Sequence, residues 1–223
     1  MAKLVLAVNE ISIPLAGRTL GGELHLPEDA PGIVLFAHGT GSSRHSPRNQ
    51  YVARVIRQGG LGTLLFDLLT SEEERAEAST GRLRFNIPLL AGRLIEVTRW
   101  ALGEAAGVPL NAGYFGSSTG AAAALMAAAD LGETIGAVVS RGGRPDLAAG
   151  ALERVTAPTL LIVGGDDTAV LRLNEEACDR LVCEKELRIV AGASHLFEEA
   201  GGLETVAGMA ADWFARHLRR RVC

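Results

Sequence analysis

Five residues, Gly116-Ser117-Ser118-Thr119-Gly120, follow the apolar run Ala112-Gly113-Tyr114-Phe115 and precede the helix-forming run Ala121-Ala122-Ala123-Ala124-Leu125. A chain that passes from a buried strand into a helix over so few residues must turn sharply. The glycines two before and two after Ser118 answer a steric demand, because side chains there would meet the neighbouring strands and the following helix. The pattern G-x-S-x-G at a strand–turn–helix junction is a nucleophile elbow, which lifts a serine hydroxyl above the edge of an α/β sheet. The pattern is short enough to arise by chance, so its surroundings decide.

Those surroundings supply two partners in the required order. Thr159-Leu160-Leu161-Ile162-Val163 runs into Gly164-Gly165-Asp166-Asp167, and Leu187-Arg188-Ile189-Val190 runs into Ala191-Gly192-Ala193-Ser194-His195. Serine, then acid, then histidine, each after a strand, is the chain order of an α/β-sheet serine hydrolase. The spacings leave room for two strand–helix units before the acid and one more before the histidine. All three groups can then meet at the carboxyl edge of one parallel sheet. Ser118 is the expected nucleophile and His195 the expected general base, with Asp167 holding the imidazole tautomer and stabilising the imidazolium. The backbone amide of Thr119, next after the serine, is one expected oxyanion donor; the second is expected from the loop after the strand Ile33–Ala37.

A chain of 223 residues with net charge −4 suits one α/β domain and carries no electrostatic footprint for nucleic acid. The cluster Arg219-Arg220-Arg221 reads as the end of a helix complementing its dipole. Leu4–Val8 is too short for a secretory signal, and no stretch is long enough to span a membrane. Cys178, Cys183 and Cys223 form an odd set with no metal spacing. The expectation is a cytoplasmic protein with reduced thiols, no metal and no cofactor, whose partner is a small molecule and neither nucleic acid nor membrane.

The first thirty residues read as two short antiparallel strands near Leu4–Val8 and Gly22–Leu26. Alternation of strand and helix begins after Pro31. Strands are expected at Ile33–Ala37, Gly62–Leu68, Ile135–Val139, Thr159–Val163 and Leu187–Val190, besides the elbow strand. Helices are expected around Asn49–Gln58, through Leu90, Leu94, Val97 and Ala101, after the elbow, near Leu147–Leu152, through Val170, Leu173 and Ala177, and from Leu203 to His217. With both faces covered, the strands should be continuous apolar runs.

Four segments make the chain resemble an α/β-hydrolase of the dienelactone hydrolase family. They are Phe36-Ala37-His38-Gly39-Thr40-Gly41-Ser42-Ser43, the elbow Gly116–Gly120, Val163-Gly164-Gly165-Asp166-Asp167, and Ala193-Ser194-His195-Leu196-Phe197. The resemblance runs from about Gly32 to Leu218. It implies one α/β-hydrolase domain over 1–223, with a mostly parallel doubly wound sheet, antiparallel N-terminal strands and no cap domain. It also implies a carboxylic ester hydrolase acting on small esters, thioesters or lactones. Dienelactone hydrolases proper use a cysteine nucleophile where this chain has Ser118, so the resemblance bears on fold more than on substrate. The family spacing Gly-x-x-Asp-x-x-Val fits Asp167; Asp166 and Asp146 are the alternative acids. Resemblance to hydrolases with His-Gly at this strand end assigns the second oxyanion amide to Thr40.

Arg44 and Arg48 flank that loop, and Arg141 and Arg144 follow the strand Ile135–Val139. Arg44, Arg141 and Arg144 are candidates for clamping a substrate carboxylate; the alternative is surface charge or ion pairing with Glu72–Glu74. His38 reads as a loop-structuring residue, and His25, His45 and His217 belong to no constellation. The charged segment Ser71–Arg84 follows a strand at the active edge and is a candidate lid. The alternatives to hydrolysis are a catalytically silent binding module on the same fold and acyl transfer by the same triad.

Overall fold

The structure, a computed structural model, describes residues 9–104, 110–148 and 150–219. Asn9–Leu15 (β1) and Arg18–His25 (β2) form an antiparallel hairpin across Ala16-Gly17, where Gly17 takes φ 74°. The hairpin turn therefore falls earlier than the expected second strand at Gly22–Leu26 would place it. The expected strand at Leu4–Val8 lies outside the described residues. Alternation then sets in as Gly32–Ala37 (β3), Pro47–Gln58 (α1), Gly62–Phe66 (β4), Ser71–Thr80 (α2), Ile87–Glu104 (α3), Asn111–Ser117 (β5), Thr119–Leu131 (α4), Ile135–Arg141 (β6), Thr159–Gly164 (β7), Thr168–Arg180 (α5), Lys185–Val190 (β8) and Gly202–His217 (α6). The short helix expected near Leu147–Leu152 resolves into two 3₁₀ turns, Pro145–Ala148 and Leu152–Arg154.

The eight strands lie in the order β1-β2-β4-β3-β5-β6-β7-β8. β2 is antiparallel to both neighbours, and every pairing from β4 to β8 is parallel. One core lies between the sheet and α3, α4 and α5, and the other between the sheet and α1 and α6. β3, β4 and β7 are buried along their whole length, as cover on both faces requires. β8 departs from that expectation: it is an edge strand, and Arg188 and Ile189 face solvent. Among the described residues only the two 3₁₀ turns intervene between β6 and β7, and no cap domain is inserted there.

The topology positions the site. The chain leaves β3 to place β4 on one side of it and then returns to place β5 on the other. The loops after β3 and β5 consequently diverge and open a crevice at their carboxyl ends, the place where open α/β sheets take ligands.

The segment Ser71–Arg84 is structured by its own charges. Thr70 caps α2 in a reciprocal capping box with Glu73. Glu73 also forms two hydrogen bonds to Arg93 at 2.6 and 3.2 Å, and Arg93 is almost fully buried. Burial would raise the Glu73 pKa, but the bonds from Arg93 and the Thr70 amide outweigh it and hold the carboxyl below its ordinary value. Glu77, 1% exposed, accepts the amides of Leu83 and Arg84 at 2.9 and 3.0 Å, tying the end of the segment to the helix.

Candidate active site

Ser118 sits between β5 and α4 with φ 51° and ψ −121°. That conformation is sparsely populated for a residue with a Cβ and costs roughly 1–3 kcal/mol. Neighbours on three sides enforce it. The Ser118 amide donates to the Arg141 carbonyl at 3.2 Å, and the Ser118 carbonyl accepts from Ala121 and Arg144, both at 3.1 Å. The flanking glycines are sterically obligatory: a Cβ at Gly116 would lie 2.4 Å from the Ala121 Cα, and one at Gly120 would lie 2.1 Å from the Ala37 carbonyl oxygen. The elbow is thus wedged between β3, β6 and α4, with its serine half-buried at the crevice.

The loop after β7 brings Asp167 to His195, with His195 Nδ1 2.6 Å from Asp167 Oδ2. Nδ1 then carries the proton it donates to the carboxylate, and Nε2 is left as an acceptor. Asp167 is shielded, with 15% of its side chain exposed against 38% for His195. The imidazole packs over Gly142, where an added Cβ would stand 3.4 Å from both Cε1 and Nδ1. Gly142 follows Arg141, which is bonded to the elbow, so the ring lies beside the serine loop. Among the described residues no hydrogen bond joins Ser118 to His195, a looseness common in ligand-free sites. Asp166 is exposed, and Asp146 is held by Arg144; neither bonds His195.

The two expected oxyanion donors lie side by side. The Thr40 amide donates to Thr119 Oγ1 at 3.0 Å, and the two threonine hydroxyls are also 3.0 Å apart. The Thr40 hydroxyl reaches the Arg84 carbonyl at 3.4 Å, so the end of the Ser71–Arg84 segment borders the crevice. The Thr119 amide, in the first turn of α4, has no partner among the described residues. Rotation of the Thr119 side chain about χ1 would release the Thr40 amide toward a ligand. Behind the threonines is a recess lined by His38, Leu68, Leu69 and Leu90, with a volume of ≈ 10 Å³, room for about one water.

His38 braces this loop. Its Nε2 accepts the Leu68 amide at 3.1 Å, so Nδ1 carries the proton and donates to the Gly39 carbonyl at 3.0 Å. Burial lowers its pKa, outweighing the Gly39 bond and the nearby Asp67 and Glu74. With a depressed native pKa, the unfolded chain binds more protons below about pH 6.5, so stability falls as pH drops through that value. Thermal melts should show Tm decreasing from pH 7 to pH 5, with a shallower slope in His38→Gln. An unchanged slope in that variant would remove His38 from the account.

The candidate arginines divide. Arg44 is ion-paired to Asp67 and, at 3.5 Å, to Glu10. Arg144 holds Asp146 through two bonds of 2.7 and 2.8 Å. Their carboxylate partners are therefore internal and differ from Glu72–Glu74. Arg48 bonds Glu198 at 3.0 Å. The Arg141 guanidinium has no hydrogen bond or ion pair among the described residues, and the Phe197 ring lies 6.0 Å from its guanidinium carbon. Phe197, buried at φ 57°, is a strained residue two positions beyond His195 that sequence reasoning missed; no sequence pattern signals a positive φ at phenylalanine. His45 contacts Glu23 at 3.1 Å, and the His217 ring lies tilted at 53° against Trp213, with ring centroids 4.5 Å apart. Cys178 and Cys183 are free thiols, and Cys223 lies outside the described residues. Among the described residues no helix is long and apolar enough to cross a membrane.

No family model matches the chain. A crystal structure of a dienelactone hydrolase from Anabaena variabilis superposes with a TM-score of 0.93 at 54% identity, covering 96% of this chain and 99% of that one. An esterase from Pyrococcus furiosus, at 17% identity and a TM-score of 0.76, covers 96% of this chain and 92% of its own, and shares the fold. Proteins of two Mycobacterium tuberculosis strains, named "Putative phosphoribosyl transferase", are 54% identical over 209 residues. That match takes in 94% of this chain, which spans 46% of the length of those curated relatives. Identity of 54% to the Anabaena protein along almost the whole of both chains, on the same sheet, places this chain in the dienelactone hydrolase family of α/β-hydrolases.

Proposed function

We propose that the chain is a serine hydrolase that cleaves small carboxylic esters, thioesters or lactones through an acyl-enzyme. The observation that carries this reading is the 2.6 Å bond from His195 to Asp167 beside a serine held at φ 51°. Nε2 of His195 takes the proton of the Ser118 hydroxyl as Oγ attacks the carbonyl carbon. Asp167 stabilises the imidazolium that results, and the same proton then passes to the leaving alkoxide. The Thr119 and Thr40 amides hold the oxyanion, the second after Thr119 Oγ1 has turned away; each such donor contributes about 3–4 kcal/mol in the transition state. Water repeats the sequence on the acyl-enzyme. One domain carries out this chemistry on a small-molecule substrate in the cytoplasm, with no cofactor, nucleic acid or membrane partner. The transferase name of the mycobacterial relatives is attached to proteins of which this chain matches less than half, and the groups gathered here are those of acyl chemistry.

A series of p-nitrophenyl esters of rising acyl length tests this. The open cleft beside Thr40 is walled by Ser42, Ser43, His45, Arg48 and Asp67, which offer a long acyl tail little apolar surface, and each methylene buried contributes only ~0.8 kcal/mol. kcat/KM should peak between acetyl and butyryl and fall by octanoyl. A steady gain out to decanoyl would show that the Ser71–Arg84 segment opens to form a tunnel. Failure to turn over any member would contradict the hydrolase reading itself.

A further inference from the structure

The loop between β3 and α1 begins against the nucleophile: a Cβ added at Gly39 would lie 3.0 Å from the Ser118 Cβ. From Thr40 onward the same loop lines an open cleft of ≈ 580 Å³, a volume usual for a small-molecule site. Such sites are lined chiefly by apolar groups. Here, among the described residues that form the wall, Pro47 alone has an apolar side chain; hydroxyls and charged groups make up the rest. The charges cancel, because Arg48 and Arg84 are matched by Asp67 and Glu74. Each also has a partner: Arg84 bonds Glu74 at 2.9 Å, Arg44 holds Asp67, and Arg48 bonds Glu198 at 3.0 Å. These pairs leave capacity unspent. A guanidinium carries five N–H donors and a carboxylate about four acceptor sites, and the contact between Arg84 and Glu74 is a single N–H to a single oxygen. Both side chains remain partly open to the cleft, 28% and 36% exposed.

Donors and acceptors set side by side without net charge suit a group that needs both at once, and a hydroxyl, with one donor and two lone pairs, is such a group. An anion in this cleft would face Asp67 and Glu74, and a cation would face Arg48 and Arg84. A hydrocarbon tail would take water from the polar wall and give back no hydrogen bond. We propose that the cleft receives the alcohol half of the ester, and that this half is neutral and polyhydroxylated, a sugar or short polyol acylated on one hydroxyl. The acyl half is short, since the same wall gives a long tail nothing to bury against. The proposal rests on the reading of Ser118 as the nucleophile. Ser118 Oγ bonds to the acyl carbon, the bond from that carbon to the sugar oxygen breaks, and the sugar leaves with the proton held by His195 Nε2. Water then releases the short carboxylic acid and restores the serine.

Methyl 6-O-acetylglucoside and hexyl acetate, both acetates of primary alcohols, separate recognition of the alcohol from the chemistry of the bond. The glucoside should exceed hexyl acetate in kcat/KM by about 10- to 100-fold, the worth of one hydrogen bond to a charged group. The same preference with 1-acetylglycerol would mark the ligand as any short polyol, and a preference confined to the glucoside would mark it as a ring sugar. Replacing the wall pair together, Glu74→Met with Arg84→Met, removes both charges at once and leaves neither unpaired. The ratio of glucoside to hexyl acetate should then fall about 10-fold or more, with the rate on hexyl acetate rising. General damage to the fold would lower both rates and keep the ratio. Arg48→Met should lower the ratio in the same direction. Equal or faster turnover of hexyl acetate by the parent protein would overturn the proposal, and so would a sugar preference that survives all three substitutions. p-Nitrophenyl acetate distinguishes this failure from that of the underlying reading: its hydrolysis without any sugar preference sinks the polyol assignment alone, whereas no hydrolysis of any of these esters sinks the hydrolase reading and the polyol assignment with it.

Discussion

Ser118→Ala should lower kcat for p-nitrophenyl acetate by ~10⁴-fold or more and leave Tm almost unchanged. The loss is large because the oxyanion donors and the binding groups that remain can stabilise a tetrahedral species but cannot form the acyl-enzyme. The fold should survive because the side chain is half-buried at the crevice and its hydroxyl has no hydrogen-bond partner among the described residues, so alanine removes no contact. The backbone strain stays, since alanine is no more at ease than serine at φ 51°. Ser118→Gly, equally inactive, should therefore melt somewhat higher than Ser118→Ala. Near-normal turnover by the alanine protein would show that the elbow is not the site of chemistry.

Asp167→Asn should cost up to ~10⁴ in kcat, and Asp166→Asn little. The 2.6 Å contact fixes the proton on Nδ1 of His195 and leaves Nε2 free to accept. An amide can instead offer its NH₂ to Nδ1, which puts the proton on Nε2 and leaves the serine without a base. Asp166 is exposed and does not bond the imidazole, so its neutralisation changes only local electrostatics. Steady-state kinetics of the two variants, with melts to confirm folding, would decide the assignment. A collapse at Asp166 with normal rates at Asp167 would move the acid by one residue, and a collapse at Asp146→Asn alone would move it to the loop after β6.

Much of this site was legible in the residues because chain order and strand ends determine it. Ser118, Asp167 and His195 each follow an apolar run, and parallel strands bring the ends of such runs to one edge. The glycines around Ser118 signalled a tight turn, but not how tight: only the packed structure shows that the Gly120 position abuts the Ala37 carbonyl. Partner choice among surface charges was not legible. Arg44, Arg141 and Arg144 look alike in sequence, yet Asp67, from the loop after β4, and Asp146, two residues from Arg144, claim two of them and leave the third. The bond from the Thr40 amide to Thr119 Oγ1 was equally hidden, joining residues 79 positions apart. The helix in Ser71–Thr80 was obscured by its many charges, which mark a charged segment and a candidate lid but show no apolar face. In the structure Glu73 and Glu77 turn inward to Arg93 and to the amides of Leu83 and Arg84. The start of the second N-terminal strand was not legible: β2 begins at Arg18, ahead of the expected Gly22, because the turn falls at Gly17, which takes φ 74°.

The central claim is that His195 and Asp167 make Ser118 nucleophilic. Reaction with a fluorophosphonate, followed by intact mass measurement and peptide mapping, tests it most directly, because the phosphorus is attacked only by an activated hydroxyl. The account predicts a single adduct, on Ser118, formed rapidly in the parent protein, far more slowly in His195→Ala and Asp167→Asn, and not at all in Ser118→Ala. An unmodified protein after prolonged exposure, or an adduct on another residue that forms equally fast in the histidine variant, would contradict it.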